Sequence, residues 1–438
     1  MKLGISDKYY YYYGSDNSTF EGRYVMSLKE NLNFEYFNES LRESVDLYPE
    51  FKQKIIVKNN CLDHVKNDLY PVIFNNTNSH KYFTKEVNFY NYFFTYNDKT
   101  KELTLNMCHG LTDAHSTLKF CTCLFYHYAL KLGDEFSDAE IKELKNKIRF
   151  SADETADINE ELMFDPYSAL FDGYKRPQFS YFCSDVYRLE HSKYDSDTDW
   201  MHLYDIQLKT SELIKTTKSL NASFSSFFIY SISKSICDNN VMDGKPIVTM
   251  LPVDFRGLCD IDTMVNFSDG IVIPFENSDF YAEREDVIQK IKENISKQIT
   301  KENLSEIMAY KIKMISGLEK KLNDISLVFK TFKSILSTNN PKSSTYVFSN
   351  PGKIDFGRHL NKFFNDFKIH AYMDDCSCII CSYGEILHLM IGLKTDDKKL
   401  PESIDKELKK TGLTTNLIDH GKTYVNAMDV GNLEKIDN

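Results

Sequence analysis

No stretch of this 438-residue chain approaches the ~18 consecutive apolar residues that a membrane-spanning helix needs. The start, Met1-Lys2-Leu3-Gly4-Ile5-Ser6-Asp7-Lys8, has no apolar core ahead of a small-residue cleavage site, so no secretory signal is expected and the chain reads as cytoplasmic. A basic face is lacking too. Its 53 Lys and Arg stand against 64 Asp and Glu, a net charge of -11, and no basic run offsets them, which argues against a nucleic-acid partner. Ten cysteines without a secretory signal do not suggest a disulfide framework. Cys376-x-Cys378-x-x-Cys381, with His388 downstream, has metal-like spacing, but on one strand Cys381 faces away from Cys376 and Cys378. Buried reduced thiols are expected there, and no metal. No repeat or low-complexity tract occurs apart from the run Tyr9 to Tyr13, which either packs across a strand edge or lines an entrance.

What is present suits a large α/β core. Hydrophobic residues make up 42% of the chain and aromatics 14%, and its length suits two domains of ordinary size. A helix is read from Phe34, Phe37, Leu41, Val45 and Tyr48, closed by Pro49. Tyr92–Tyr96, a turn at Asn97–Thr100, and Glu102–Cys108 read as a hairpin. These fall in a first lobe, residues 1–170, with an acidic, partly helical segment at 137–161. A connection spans 171–200 and includes Asp195-Ser196-Asp197-Thr198-Asp199. The second lobe, 201–438, holds strands at Leu203–Leu208, Val248–Arg256, around Tyr346 and Ile369, and a hairpin over Cys376–Ile391. Helices are read from Phe224 to Ile236, Val287 to Ile299, and Glu402 to Lys410.

The most informative stretch is Met107-Cys108-His109-Gly110-Leu111-Thr112-Asp113-Ala114. Leu103, Leu105 and Met107 alternate with Thr104, Asn106 and Cys108, the period of a half-buried strand. Leu118, Cys121, Leu124, Phe125, Tyr128 and Leu132 then recur at helical spacing up to Gly133. His109 thus sits at a strand-to-helix junction, where a neutral imidazole can take a proton from an alcohol, thiol or amine, worth roughly 10²–10⁴ in rate. A lone His near an Asp is more often structural, so further segments carry weight.

Those segments are the Phe34–Tyr48 helix closed by Pro49, Val248–Gly257, ending in Asp254-Phe255-Arg256, and Tyr346-Val347-Phe348-Ser349-Asn350-Pro351-Gly352. With the His109 motif, in this order, they resemble the chloramphenicol acetyltransferase-like superfamily. That superfamily includes alcohol acetyltransferases, the plant BAHD enzymes and the condensation domains of nonribosomal peptide synthesis. The resemblance runs from about Arg23 to about Gly412. Its signature, His-His-x-x-x-Asp-Gly, reads here with Cys108 for the first His and Ala114 for the closing Gly. The Asn-Leu-Arg strand becomes Asp254-Phe255-Arg256, and Ser-Asn-Leu-Gly becomes Ser349-Asn350-Pro351-Gly352. The plant Asp-Phe-Gly-Trp-Gly motif has no match. Asp355-Phe356-Gly357-Arg358 follows Gly352 too closely, and the single Trp, Trp200, lies elsewhere.

The resemblance implies an α/β fold of two chloramphenicol acetyltransferase-like sandwich lobes with an active-site tunnel between them. It implies direct acyl transfer from a thioester to an alcohol, with His109 as general base and no permanently bound cofactor. Coenzyme A thioester would be the co-substrate, or a carrier-protein arm supplied in trans, and a hydroxyl or amine the acceptor. Asp113 either orients His109 or, as the superfamily favours, pairs with an arginine, here Arg256. Cys108, Gly110, Ala114, Ser349, Asn350 and Gly352 are candidates to line the tunnel or hold the oxyanion, with Thr345 a further hydroxyl. A monomer is expected. Condensation-type amide or ester formation, or a non-catalytic relative acting as a binding module, stays open. His115, His127, His359, His370 and His388 show no partner pattern and receive no role.

Overall fold

Each sheet begins in an apolar alternation. The computed structural model describes residues 3–14, 20–76, 78–145, 147–151, 154, 160–171, 185–189, 199–322, 324–335, 344–372, 376–429, 431 and 433–436. In chain order the first strands are β1 (Glu21–Leu28), β2 (Gln53–Lys58), β3 (Cys61–Lys66), β4 (Ile73–Phe74), β5 (Tyr92–Asn97) and β6 (Glu102–Cys108). Then come β7 (Trp200–Lys209), β8 (Ile247–Asp254), β9 (Ser268–Phe275), β10 (Tyr346–Lys353) and β11 (Phe364–Tyr372). Last are β12 (Cys376–Tyr383), β13 (Ile386–Leu393), β14 (Thr415–Tyr424) and β15 (Glu434–Ile436). A five-stranded sheet runs β11-β1-β6-β5-β4, a seven-stranded one β14-β7-β13-β12-β10-β8-β9, and a small one β15-β2-β3. The structure is therefore α/β with two main sheets. The two halves of the chain are stitched together: β11, from the second half, lies antiparallel to β1, and β15 pairs with β2. The connection read at 171–200, with its acidic run, lies largely outside the described residues.

Helices cover each sheet. Leu103, Leu105 and Met107 of β6 are fully buried beneath α2 (Phe34–Leu47) and α3 (Ala114–Lys131), which bury Phe37, Leu41 and Val45, and Phe120, Cys121, Leu124 and Phe125. The 224–239, 284–298 and 399–410 helices pack over the larger sheet. Cys376 and Cys378 join one core cluster while Cys381 joins the other. Among the described residues no helix is long and apolar enough to cross a membrane.

The tyrosine run Tyr9–Tyr13 is helical. It lies in helix α1 (Ile5–Tyr13), buried at Tyr11 and Tyr12. Lys8 Nζ lies 2.8 Å from Glu319, which also accepts from the Tyr12 hydroxyl, and this anchors α1 to the 301–321 helix.

His388, given no role by the sequence, bridges the sheets. With no exposure of its side chain, its Nδ1 lies 2.9 Å from Asp205 of β7 and its Nε2 2.9 Å from Asp366 of β11. Burial alone would lower its imidazolium pKa, but hydrogen bonds to both carboxylates raise it from 6.5 to about 9. The stabilisation is fully present below 6.5, the unfolded value, and is lost as pH rises through about 9. The urea midpoint of the wild type is expected to fall across that window. A flat profile would show that the bridge carries no ion pairing.

Candidate active site

The turn after β6 aims one imidazole. The His109 backbone N–H donates to Phe20 O at 2.7 Å, and the Leu111 N–H to Cys108 O at 3.0 Å, so the chain leaves the sheet in a tight turn. His109 Nδ1 lies 2.9 Å from the Thr112 carbonyl oxygen, which can only accept. The neutral ring must therefore carry its proton on Nδ1 and leave Nε2 with a free lone pair. Burial lowers the imidazole pKa, opposed by the Thr112 carbonyl, and the net shift is downward. A half-buried imidazole results.

Asp113 faces away from this work. It caps α3, its Oδ1 accepting from the Ser116 N–H at 3.2 Å. Its Oδ2 accepts from Arg256 Nη1 at 2.8 Å and from the Phe267 N–H at 2.9 Å. Arg256 also donates to Thr263 O, Val265 O, Ser116 Oγ and Asp254 Oδ1. Burial would raise the Asp113 pKa, but the guanidinium and the two N–H donors hold it below the usual carboxylate range. Its oxygens are spent on fixing the junction to the second lobe, and none reaches the His109 ring.

A cavity of about 410 Å³ opens beside His109, walled by both main sheets. Its origin is a split between β8 and β10. The two pair only at Tyr346–Thr249 and Val347–Met250, and further along each carries a proline, Pro252 and Pro351, which has no N–H to donate. The gap is lined by Val253 and Asp254 on one side and by Ser349 and Asn350 on the other, with Ala114 and His115 from α3.

Sequence candidates divide accordingly. His109, Asp113, Ala114, Ser349 and Asn350 line the cavity. Cys108 does not: its thiol is fully buried 3.6 Å from Met428 Sδ, because β6 alternation turns it to the opposite face, and burial pushes it up to about 12. Gly352 serves the bulge instead, its φ of +85° lying where glycine is favoured. Thr345 is consumed internally, donating to Tyr187 O and accepting from the Val248 N–H. His115, assigned no role from sequence, lies at the cavity 3.7 Å from Asp254.

The residue that sequence reasoning missed is Tyr10. Its ring lies 4.7 Å, centre to centre, from the His109 ring at a 35° tilt, so α1 covers the base on one side. Asn266 joins them, meeting the Tyr10 hydroxyl and donating to His109 O at 3.3 Å. Gly110 makes room for this helix and lies outside the cavity lining. A Cβ there would come within 2.6 Å of the Tyr11 ring, itself buried and bonded to Asn91. Gly110→Ala is expected to cost about 1–3 kcal/mol in urea unfolding, by overpacking. No measurable loss would mean that α1 yields freely.

No family model matches the sequence, and no curated protein does. Solved structures do match over nearly the whole chain. TRI101 of F. sporotrichioides, complexed with coenzyme A and T-2, is 11% identical with a TM-score of 0.61, covering 95% of this chain and 99% of that one. Polyketide synthase associated protein 5 from Mycobacterium tuberculosis is 12% identical at TM-score 0.58, covering 93% and 96%. The epimerization domain of the third module of tyrocidine synthetase B is 9% identical at TM-score 0.54, covering 94% and 96%. This chain shares the α/β fold of these structures over nearly its whole length.

Proposed function

We propose that the chain transfers an acyl group from an acyl thioester, acyl-coenzyme A, to an alcohol, with His109 as general base. The observation that carries this is the Nδ1–Thr112 hydrogen bond, which leaves Nε2 unprotonated beside a cavity walled by both sheets. Nε2 takes the hydroxyl proton as the acceptor oxygen attacks the thioester carbonyl. The C–S bond then breaks, and the proton passes from the imidazolium to the leaving thiolate. Ser349 and Asn350 are uncharged polar residues of β10 at this cavity and supply the oxyanion contact. Lys119, Lys147 and Lys353 line the same cavity and suit the donor's phosphates. Holding both reactants in line supplies most of the rate.

The test is thiol release from a panel of acyl-coenzyme A donors with mixed alcohols and amines. Acceptor-dependent release supports the transferase, and an amine-only response favours the condensation-type reaction. A second reading, a non-catalytic binding module, is favoured by one observation: Tyr10 covers one side of His109. Silence of the folded wild type with both coenzyme A and carrier-bound donors would decide for the module.

A further inference from the structure

β1 and β11 each present two faces, and alternation gives each face a different cavity. Gly22, Tyr24, Ile369 and Ala371 look into the His109 cavity. Arg23, Val25, Lys368 and His370 look into a second one of about 420 Å³ on the back of the same sheet, closed by β14 with His420 and Lys422. From this we infer that the second cavity binds a phosphate-bearing small molecule, held apart from His109 by the sheet.

Its chemistry is that of a donor set. Among the described lining residues Glu102 is the one carboxylate, against Arg23, Lys368 and Lys422. Around the rim, Asn78, Ser79, Thr95 and Thr104 add amide and hydroxyl donors. Arg23 is braced by buried Glu21 at 2.9 Å, and Lys422 by Asp396 at 2.8 Å. Lys368 is held only loosely, 3.8 Å from Glu102, and His420 lies 3.8 Å from Asp205. His370 sits among them with only 8% of its surface exposed, and its Nδ1 finds no hydrogen-bond partner. A buried ring nitrogen without a partner is costly to leave so, and a ligand oxygen would satisfy it. The charged groups that act most on His370 are Arg23, Lys368 and His420, all cationic in their charged forms. The field at the cavity therefore favours an anion that spreads its charge over several oxygens, as phosphate does.

Calorimetric titration of the full chain with inorganic pyrophosphate tests this without any assay of acyl transfer, so it stands or falls separately from the reading above. Saturable binding with one site per chain, in the ~mM range or tighter, is expected. Lys368→Gln and His370→Phe should each weaken it by about tenfold, since each removes a charge-assisted or buried contact. Lys297→Gln, exposed on the 284–298 helix and in the lining of neither cavity, should leave it unchanged. No saturable heat with the wild type overturns the inference. So does a wild-type affinity in Lys368→Gln, or a loss confined to Lys119→Gln at the His109 cavity, because the anion would then sit beside His109. Competing coenzyme A against pyrophosphate separates the sources. Displacement assigns the phosphates to the thioester donor, its absence assigns them to a separate ligand, and either result supports an anion site behind the sheet.

Discussion

Replacing His109 by Ala is expected to lower acceptor-dependent thiol release by about 10²–10⁴-fold while the chain stays folded. The ring is half-buried and its Nδ1 hydrogen bond runs to a carbonyl in its own turn, so removal strands no buried charge. The loss should fall on kcat, because the base acts only as the acceptor proton moves, and KM for the thioester should change little. The pH profile supplies the second signature. Burial sets the imidazole below its ordinary 6.5, so wild-type activity should hold level through neutral pH and fall only on the acid side. That acid limb should vanish in the residual rate of the variant. Equal activity in the folded variant and the wild type would remove His109 from the chemistry.

Local pattern made part of this site legible. The alternation of Leu103, Leu105 and Met107 and the stripe on α3 are read within one window, and together they put His109 at a strand-to-helix junction. The fold was legible through the ordered motifs at His109, Arg256 and Ser349. No local rule joins Asp113 to Arg256 across 143 positions, and only the resemblance named that partner. Other features are tertiary and left no such mark. Five tyrosines in a row carry no period to choose an element by, and packing against Phe329 and Phe332 holds them in a helix. The β8–β10 split depends on two prolines 99 positions apart, each of which reads alone as a loop signal. His388 gathers one partner from β7 and another from β11, and a single sequence cannot show that convergence. Cys108 was misplaced because the resemblance set it beside His109 at the tunnel, whereas strand alternation turns it to the face opposite Met107.

Asp113→Asn should also abolish activity, but by loosening the fold. Arg256 is buried and sends one N–H to Asp113 Oδ2, the oxygen that also accepts from the Phe267 N–H. An asparagine can cap α3 through its carbonyl oxygen, yet its amide then turns two N–H donors toward a guanidinium that has only donors. The buried cation is left without its main counter-charge, a loss on the order of 3–5 kcal/mol. Urea unfolding monitored by far-ultraviolet circular dichroism should show the midpoint drop, and activity should fall with the folded fraction. Acid offers an independent check on the same pair. The Asp113 pKa is depressed in the folded chain, so its stabilisation is complete above the unfolded value near 3.8 and is lost as pH falls through the lower folded value. Asp113→Asn should lack that part of the acid dependence. Changing Arg256 to Gln as well should recover stability relative to Asp113→Asn alone, since the unpaired cation goes with it. If Asp113→Asn proved as stable as wild type yet inactive, with the imidazole titration of His109 displaced, the carboxylate would be orienting the base after all, and the division of labour between the two residues would be reversed.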